Sequence, residues 1–258
     1  MLVKFAVIGG NASKDLAKRI ARRLKAPYIE TQTKTFPDGE SKITFGRVPK
    51  KSTIIVVQST YPPVDTNLFQ ALSIISEARK SSSKIYAIIP YMGYARQDKQ
   101  FLSGEVITMS VVAKMIQIAG ATKMIFVDIH SKTALNHFKI RTENVSAIPE
   151  LAKYFKKMKL KNPLVVSPDM GGSLRAKKFA GLLNTDFVAL KKSRNRKTGK
   201  VQIQSSKVDV NGRDLIVIDD IISTGGSVVK ATQFLKRQKC KRVFVACTHG
   251  LFVGDAER

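Results

Sequence analysis

The sequence predicts an α/β fold, a mostly parallel sheet with helices on both faces, built from two similar halves. Three observations point there. Short apolar runs alternate with amphipathic helical patterns along the whole chain, the pattern of strand–helix–strand units. The apolar runs are about strand length, well short of a ~20-residue membrane span. Third, "KMIFVDIH" (Lys123–His130) and "RVFVACTH" (Arg242–His249) echo one another, each a basic residue, an apolar strand and a histidine. The units before them, "STIIVVQSTYPP" and "RDLIVIDDIISTGG", are also alike, which sets the boundary of the halves near Ala147–Pro149.

The elements follow in order. Val3–Ile8 is the first strand. "NASKDLAKRIARRLKAP" then places Leu16, Ile20 and Leu24 on one helical face and stops at Pro27. Thr53–Gln58 is a strand, and "DTNLFQALSIISEARK" groups Leu68, Leu72 and Ile75. Lys84–Ile89 precedes the helix "EVITMSVVAKMIQIAG", which closes on Gly120, a residue suited to a helix stop. Lys123–Asp128 is followed by "PELAKYFKKM", with Pro149 in a first-turn position. Leu164–Ser167 leads into the helix "SLRAKKFAGLL" and then into Asp186–Leu190. Asp214–Asp219 leads into "SVVKATQFLKRQ", and Lys241–Cys247 ends the series.

With 258 residues, 43% hydrophobic and 25% charged, the chain reads as globular and buries a sizeable core. The start "MLVKFAVIGG" does not resemble a signal peptide, so a cytoplasmic protein is expected. Cys240 and Cys247 lack metal or redox spacing and are expected to pack. The net charge is +26, which concentrates anions near the surface. Lysines are spread over every helix, and there is no arginine-rich arm, zinc-finger spacing or RNA-binding sheet motif. That distribution favours a solvated surface and phosphate-rich small substrates over nucleic acid.

The chemistry concentrates in "LIVIDDIISTGGSVVKA" (Leu215–Ala231). An apolar strand ends in Asp219 and Asp220, at the carboxyl edge where open α/β sheets bind ligands. Two carboxylates there can accept from vicinal sugar hydroxyls or help hold a metal. Ser223, Thr224, Gly225, Gly226, Ser227 and Val228 open a helix whose N–H groups and dipole favour a phosphate. One loop can thus grip both ends of a ribose phosphate. It leaves open whether the chain transfers an activated ribose or makes one.

Further loops follow other strands. "FPDGE" (Phe36–Glu40) joins an aromatic ring to a Pro-Asp-Gly turn and a second carboxylate. "YMGYARQDK" carries Arg96, a fork suited to phosphate, with Gln97 and Lys99 beside it. "VDIHS" sets His130 just past a strand, where it could bind a metal. "SPDMGGSLRAKK" repeats the design of carboxylate, glycines and helix start with Asp169, Gly171 and Gly172, which suits a metal-bound diphosphate. "LKKSRNRKTGKV" holds Lys191, Lys192, Arg194, Arg196, Lys197 and Lys200, and reads as a mobile cationic lid that closes on substrate.

With "FPDGE", "PYMGYARQDK", "VDIHS", "VVSPDMGG", "LKKSR" and "VIDDIISTGGS" in that order, the chain resembles ribose-phosphate diphosphokinase, also called phosphoribosyl-diphosphate synthetase. Ser223 stands where bacterial relatives usually have a third acid, so the loop looks closer to archaeal relatives and to the transferases. The chain also stops at Arg258, short of that family's usual C-terminus. The resemblance implies two tandem phosphoribosyltransferase-like (type I) domains, 1–147 with the ATP loops and 148–258 with the sugar loop and lid. It implies ATP as co-substrate, Mg²⁺ as cofactor, ribose 5-phosphate as acceptor, and a homo-oligomer. Phe36, Asp38, Gly39 and Glu40 would meet the adenine of ATP, in this family from a neighbouring subunit, and Arg96 and Gln97 would also bind ATP. His130 and Asp169 would ligate Mg²⁺. Lys192 and Arg194 would stabilise the transferring group, with Arg194 also at the ribose 5-phosphate. Asp219, Asp220 and Thr224–Val228 would hold ribose 5-phosphate.

Overall fold

The computed structural model describes residues 4–194, 201–204 and 209–256. The chain divides into two compact units, Met1–Val145 and Ser146–Arg258.

The first unit is a seven-stranded sheet. Its strands are β1 (Phe5–Gly9), β2 (Tyr28–Thr35), β3 (Ser41–Phe45), β4 (Thr53–Val57), β5 (Ile85–Ile89), β6 (Lys123–Val127) and β7 (Arg141–Val145), in the spatial order β3-β2-β1-β4-β5-β6-β7. All pairings are parallel except β2 with β3. The strict side-chain alternation of a strand explains the two cores. Ala6, Ile8, Ile54 and Val56 face α2 (Val64–Arg79) and α3 (Thr108–Ala119), where the predicted Leu68, Leu72 and Ile75 are buried. Val7, Ile55 and Val57 face the other way, onto α1 (Lys14–Leu24).

The second unit is a four-stranded parallel sheet of β8 (Leu164–Ser167), β9 (Asp186–Ala189), β12 (Asp214–Ile222) and β13 (Arg242–Gly250), ordered β13-β12-β8-β9. The separate pair β10 (Lys191–Arg194) and β11 (Val201–Gln204) is an antiparallel hairpin. Val165, Ile216 and Ile218 pack on α4 (Ile148–Lys156) and α5 (Ser173–Leu183). Leu164, Val166, Leu215 and Val217 pack on α6 (Gly226–Arg237) with Val228, Ala231 and Leu235, and both cysteines pack against this side. Helices therefore cover both faces of each sheet, as the strand–helix alternation predicts.

Several details differ from the sequence reading. Leu16 and Leu24 are not the packed face of α1; they are 39% and 42% exposed, while Ala17 and Ala21 are buried. A Cβ added to Gly9 would lie 2.8 Å from the Ala17 methyl, so the helix runs too close to β1 for leucines. The helix also ends before Pro27, at a left-handed Lys25, with Ala26 N–H donating to the Ala21 carbonyl. The strands β2, β3 and β7 carry few apolar residues, and β7 (RTENV) is a polar edge strand paired with β6 alone. Finally, β13 holds the place in its sheet that β5 holds in the first, since β2-β1-β4-β5 matches β9-β8-β12-β13. The echo of Lys123–His130 with Arg242–His249 is thus one strand out.

Candidate active site

In the second unit the loop between β12 and α6 grows out of the centre of the sheet. The strand was expected to end at Asp219 and Asp220, but β12 runs on through Ile222, so both lie inside it. The ladder with β13 runs on through Ile221 opposite His249 and Ile222 opposite Gly250. On the other side, pairing with β8 stops at Val217 opposite Val166. Past that point the first turn of α5 takes the place of a strand. Its Arg175 guanidinium reaches Asp219 Oδ1 with Nη1 at 3.2 Å and Asp220 Oδ2 with Nη2 at 3.2 Å. Backbone N–H groups of Asp220 and Ile221 donate to Asp219 Oδ1 (2.9 Å) and Asp220 Oδ1 (3.0 Å). Burial pushes the Asp219 carboxyl up to about 7, helped by the hydrogen bond and charge of Asp220, while Arg175 opposes the shift.

Beyond the strand, Gly225 has φ +75°, a left-handed conformation that a side chain would strain. It is the N-cap of α6, no side chain caps that end, and its carbonyl accepts from Val229 N–H. Thr224, Gly226 and Ser227 surround this helix start and Val228 is buried beneath it, so the first turn presents backbone donors and hydroxyls on a buried footing.

The neighbouring loop, between β8 and α5, is shaped by Asp169. Its Oδ1 accepts from Gly172 N–H at 3.2 Å, and its carbonyl accepts from the buried Ser167 hydroxyl at 2.7 Å. A Cβ on Gly172 would lie 2.5 Å from Ser167 Oγ and 3.2 Å from Arg175 Nη1, so only glycine leaves both in place. Lys192 and Arg194 lie on β10, opposite Ile203 and Val201. Arg196, Lys197 and Lys200 of the expected lid lie outside the described residues.

In the first unit, parallel β4, β5 and β6 place their following loops on one edge. Thr60 pins the β5 loop by accepting from Gly93 N–H (2.7 Å) and donating to the Tyr91 carbonyl (2.9 Å). Arg96 and Gln97 emerge exposed from that loop, and Gln97 Oε1 accepts from the Thr108 hydroxyl at 2.7 Å. Between Gln97 and Lys99 sits Asp98, only 4% exposed. Its carboxylate accepts from the Ser131 hydroxyl, and the His137 ring bonds its carbonyl at 2.7 Å. Asp98 thereby ties the Arg96–Gln97 loop to the exposed His130 beside Ser131. Phe36, Asp38, Gly39 and Glu40 form the tip of the β2–β3 hairpin. Phe36 N–H donates to the Glu40 carbonyl, Gly39 turns with φ +92°, and Asp38 Oδ1 accepts from Glu40 N–H. The Phe36 ring is exposed, with the Lys34 ammonium 5.4 Å from its centroid.

The sequence reading missed Arg175 and Asp98. Arg175 is the third residue of a helix, shortly before Lys177 and Lys178, and reads as surface; its carboxylate partners are 44 and 45 positions away in a strand. Among the described residues there is no group of three or more His, Cys, Asp or Glu side chains that could hold a metal alone.

Parallel sheets in which a strand-borne acidic pair precedes a glycine- and hydroxyl-lined helix start define a phosphoribosyltransferase-type α/β protein. Two family descriptions match: "N-terminal domain of ribose phosphate pyrophosphokinase" over residues 5–120 and "Phosphoribosyl transferase domain" over residues 144–254. The chain is 36% identical to the ribose-phosphate pyrophosphokinase of Sulfurisphaera tokodaii, covering 97% of this chain and 86% of that one. It is 38% identical to that of Methanobrevibacter smithii, covering 97% and 87%. Its fold matches the crystal structure of phosphoribosylpyrophosphate synthetase from Mycobacterium smegmatis with a TM-score of 0.86 at 28% identity, over 98% of this chain and 83% of that one. The chain belongs to the ribose-phosphate pyrophosphokinase family. No helix among the described residues is long and apolar enough to cross a membrane.

Proposed function

We propose that the chain transfers the diphosphoryl group of ATP to the 1-hydroxyl of ribose 5-phosphate, giving 5-phosphoribosyl 1-diphosphate and AMP for nucleotide biosynthesis. The observation that carries this reading is the acidic pair of β12 directly before the α6 helix start, in a chain of this family. Asp219 and Asp220 accept from the vicinal ribose hydroxyls. Thr224, Gly225, Gly226, Ser227 and Val228 receive the 5-phosphate on hydroxyls and backbone N–H groups. The 1-hydroxyl oxygen attacks the β-phosphorus in line, and the bond to the AMP oxygen breaks. No protein nucleophile is needed, so the work is positioning and neutralisation of charge. Lys192 and Arg194 supply cations to the transferring group, with Arg194 also at the sugar phosphate.

Phe36 stacks on the adenine, with Asp38, Gly39 and Glu40 beside it, contributed by a neighbouring copy in a homo-oligomer. Arg96 and Gln97 also bind ATP. His130 and Asp169 would each serve as a Mg²⁺ ligand, and the bound ion would neutralise charge on phosphate oxygens. Asp169 suits it as a hard oxygen donor. Mg²⁺ bound through substrate phosphates needs only one or two protein carboxylates, so a cage of three side chains is not required. The reaction is assigned to the cytoplasm, with neither nucleic acid nor membrane as partner.

Purified protein incubated with ATP, ribose 5-phosphate and Mg²⁺ is expected to release AMP only when the sugar phosphate is present. Absence of AMP, together with consumption of 5-phosphoribosyl 1-diphosphate when a free base is added, would identify a base transferase instead.

A further inference from the structure

Arg175 lies outside the loops that the sugar reading uses, yet it meets both of their carboxylates. Its side chain is 19% exposed, and those of Asp219 and Asp220 are 19% and 5% exposed. Consecutive strand residues normally send their side chains to opposite faces. Here one planar guanidinium touches both, using two nitrogens of a rigid fork. The path to that position is kept open by Gly172, where any Cβ would stand 3.2 Å from Arg175 Nη1.

We propose that Arg175 is a positioning residue for the sugar site, clamping Asp219 and Asp220 into one paired acceptor for two hydroxyls of ribose 5-phosphate. The proposal rests on the ribose 5-phosphate reading above. Two adjacent buried carboxylates repel one another when both are ionised, and a cation shared between them offsets that repulsion. A lysine carries the charge but offers a single point, so it cannot span both groups as the fork does. Arg175 belongs to the helix that follows the Asp169 loop, so the clamp also fixes the spacing between the sugar loop and the neighbouring carboxyl-end loop.

The test uses the full chain, with steady-state kinetics in both substrates and calorimetric titration with ribose 5-phosphate. For Arg175→Gln, the Michaelis constant for ribose 5-phosphate is expected to rise about tenfold or more, with that for ATP changed less than about twofold, as for loss of a buried charge-assisted pair. In an Asp220→Asn background the same substitution should add less than about twofold, because residues acting through one another are non-additive. If Arg175→Gln does not fold, Arg175→Lys takes its place and should raise the sugar constant at least about threefold. An unchanged sugar constant in a folded Arg175 variant would overturn the proposal. So would full additivity with Asp220→Asn, or an effect confined to ATP. A wild-type chain that neither binds nor turns over ribose 5-phosphate would instead overturn the underlying reading.

Discussion

At the residue scale the proposed sugar site turns on its acidic pair. Asp219 is held up to about 7 chiefly by burial. Its folded form therefore binds a proton more tightly than the unfolded chain does. The stability it contributes is full below the unfolded carboxylate value near 3.8 and is lost as pH rises through about 7. Melting curves between pH 4 and 8 should show the decline flattened in Asp219→Asn; an identical slope would contradict this. Asp220→Ala should mainly raise the Michaelis constant for ribose 5-phosphate, whereas Lys192→Ala should mainly lower turnover. Both are read from one kinetic series, and near-normal turnover of Lys192→Ala would remove its role at the transferring group. The acids, glycines and hydroxyls of Asp219–Val228 were legible in the sequence because they are contiguous. Arg175 and Asp98 were not, because their partners are assembled by sheet topology from distant positions: Ser131, for example, is 33 residues from Asp98.

At the element scale, the strongly apolar inner strands and the helices were legible because burial on both faces writes long aliphatic runs. The edge strands β3 and β7, and β2 beside β3, were not, since strands at a half-solvated margin need no such run. The expected packed face of α1 failed because of the close approach of the helix to Gly9. That contact makes a sharp prediction. Ala17→Leu should destabilise by about 1–3 kcal/mol through overpacking, while Leu16→Gln should stay within about 0.5 kcal/mol. Denaturant titration of both variants decides it, and a costly Leu16→Gln would restore the leucine face as the packed one. The overrun of β12 past Asp219 has the same kind of origin: β13 is long enough to keep pairing after β8 has ended.

At the scale of the whole molecule, the order β2-β1-β4-β5 recurs as β9-β8-β12-β13, so the chain repeats one parallel design. The proposed sugar loop follows β12, which pairs with β8 at the centre of the second repeat. At the matching place in the first, β4 is followed by the buried Gln58, whose Oε1 accepts from Ala12 N–H. The net charge of +26 is mostly a solvated surface on this account. Reversing the exposed Lys18, Lys114 and Lys156 to glutamate together should leave turnover within about twofold, as substitutions away from a site usually do. A larger loss would give that surface a role in substrate capture. The central claim concerns which phosphorus is attacked, and phosphorus NMR of the wild-type chain with ATP, ribose 5-phosphate and Mg²⁺ follows it directly. The account predicts that the β and γ signals of ATP move together onto the sugar while the α signal becomes AMP. Accumulation of ADP, with only the γ-phosphorus transferred or released, would contradict it.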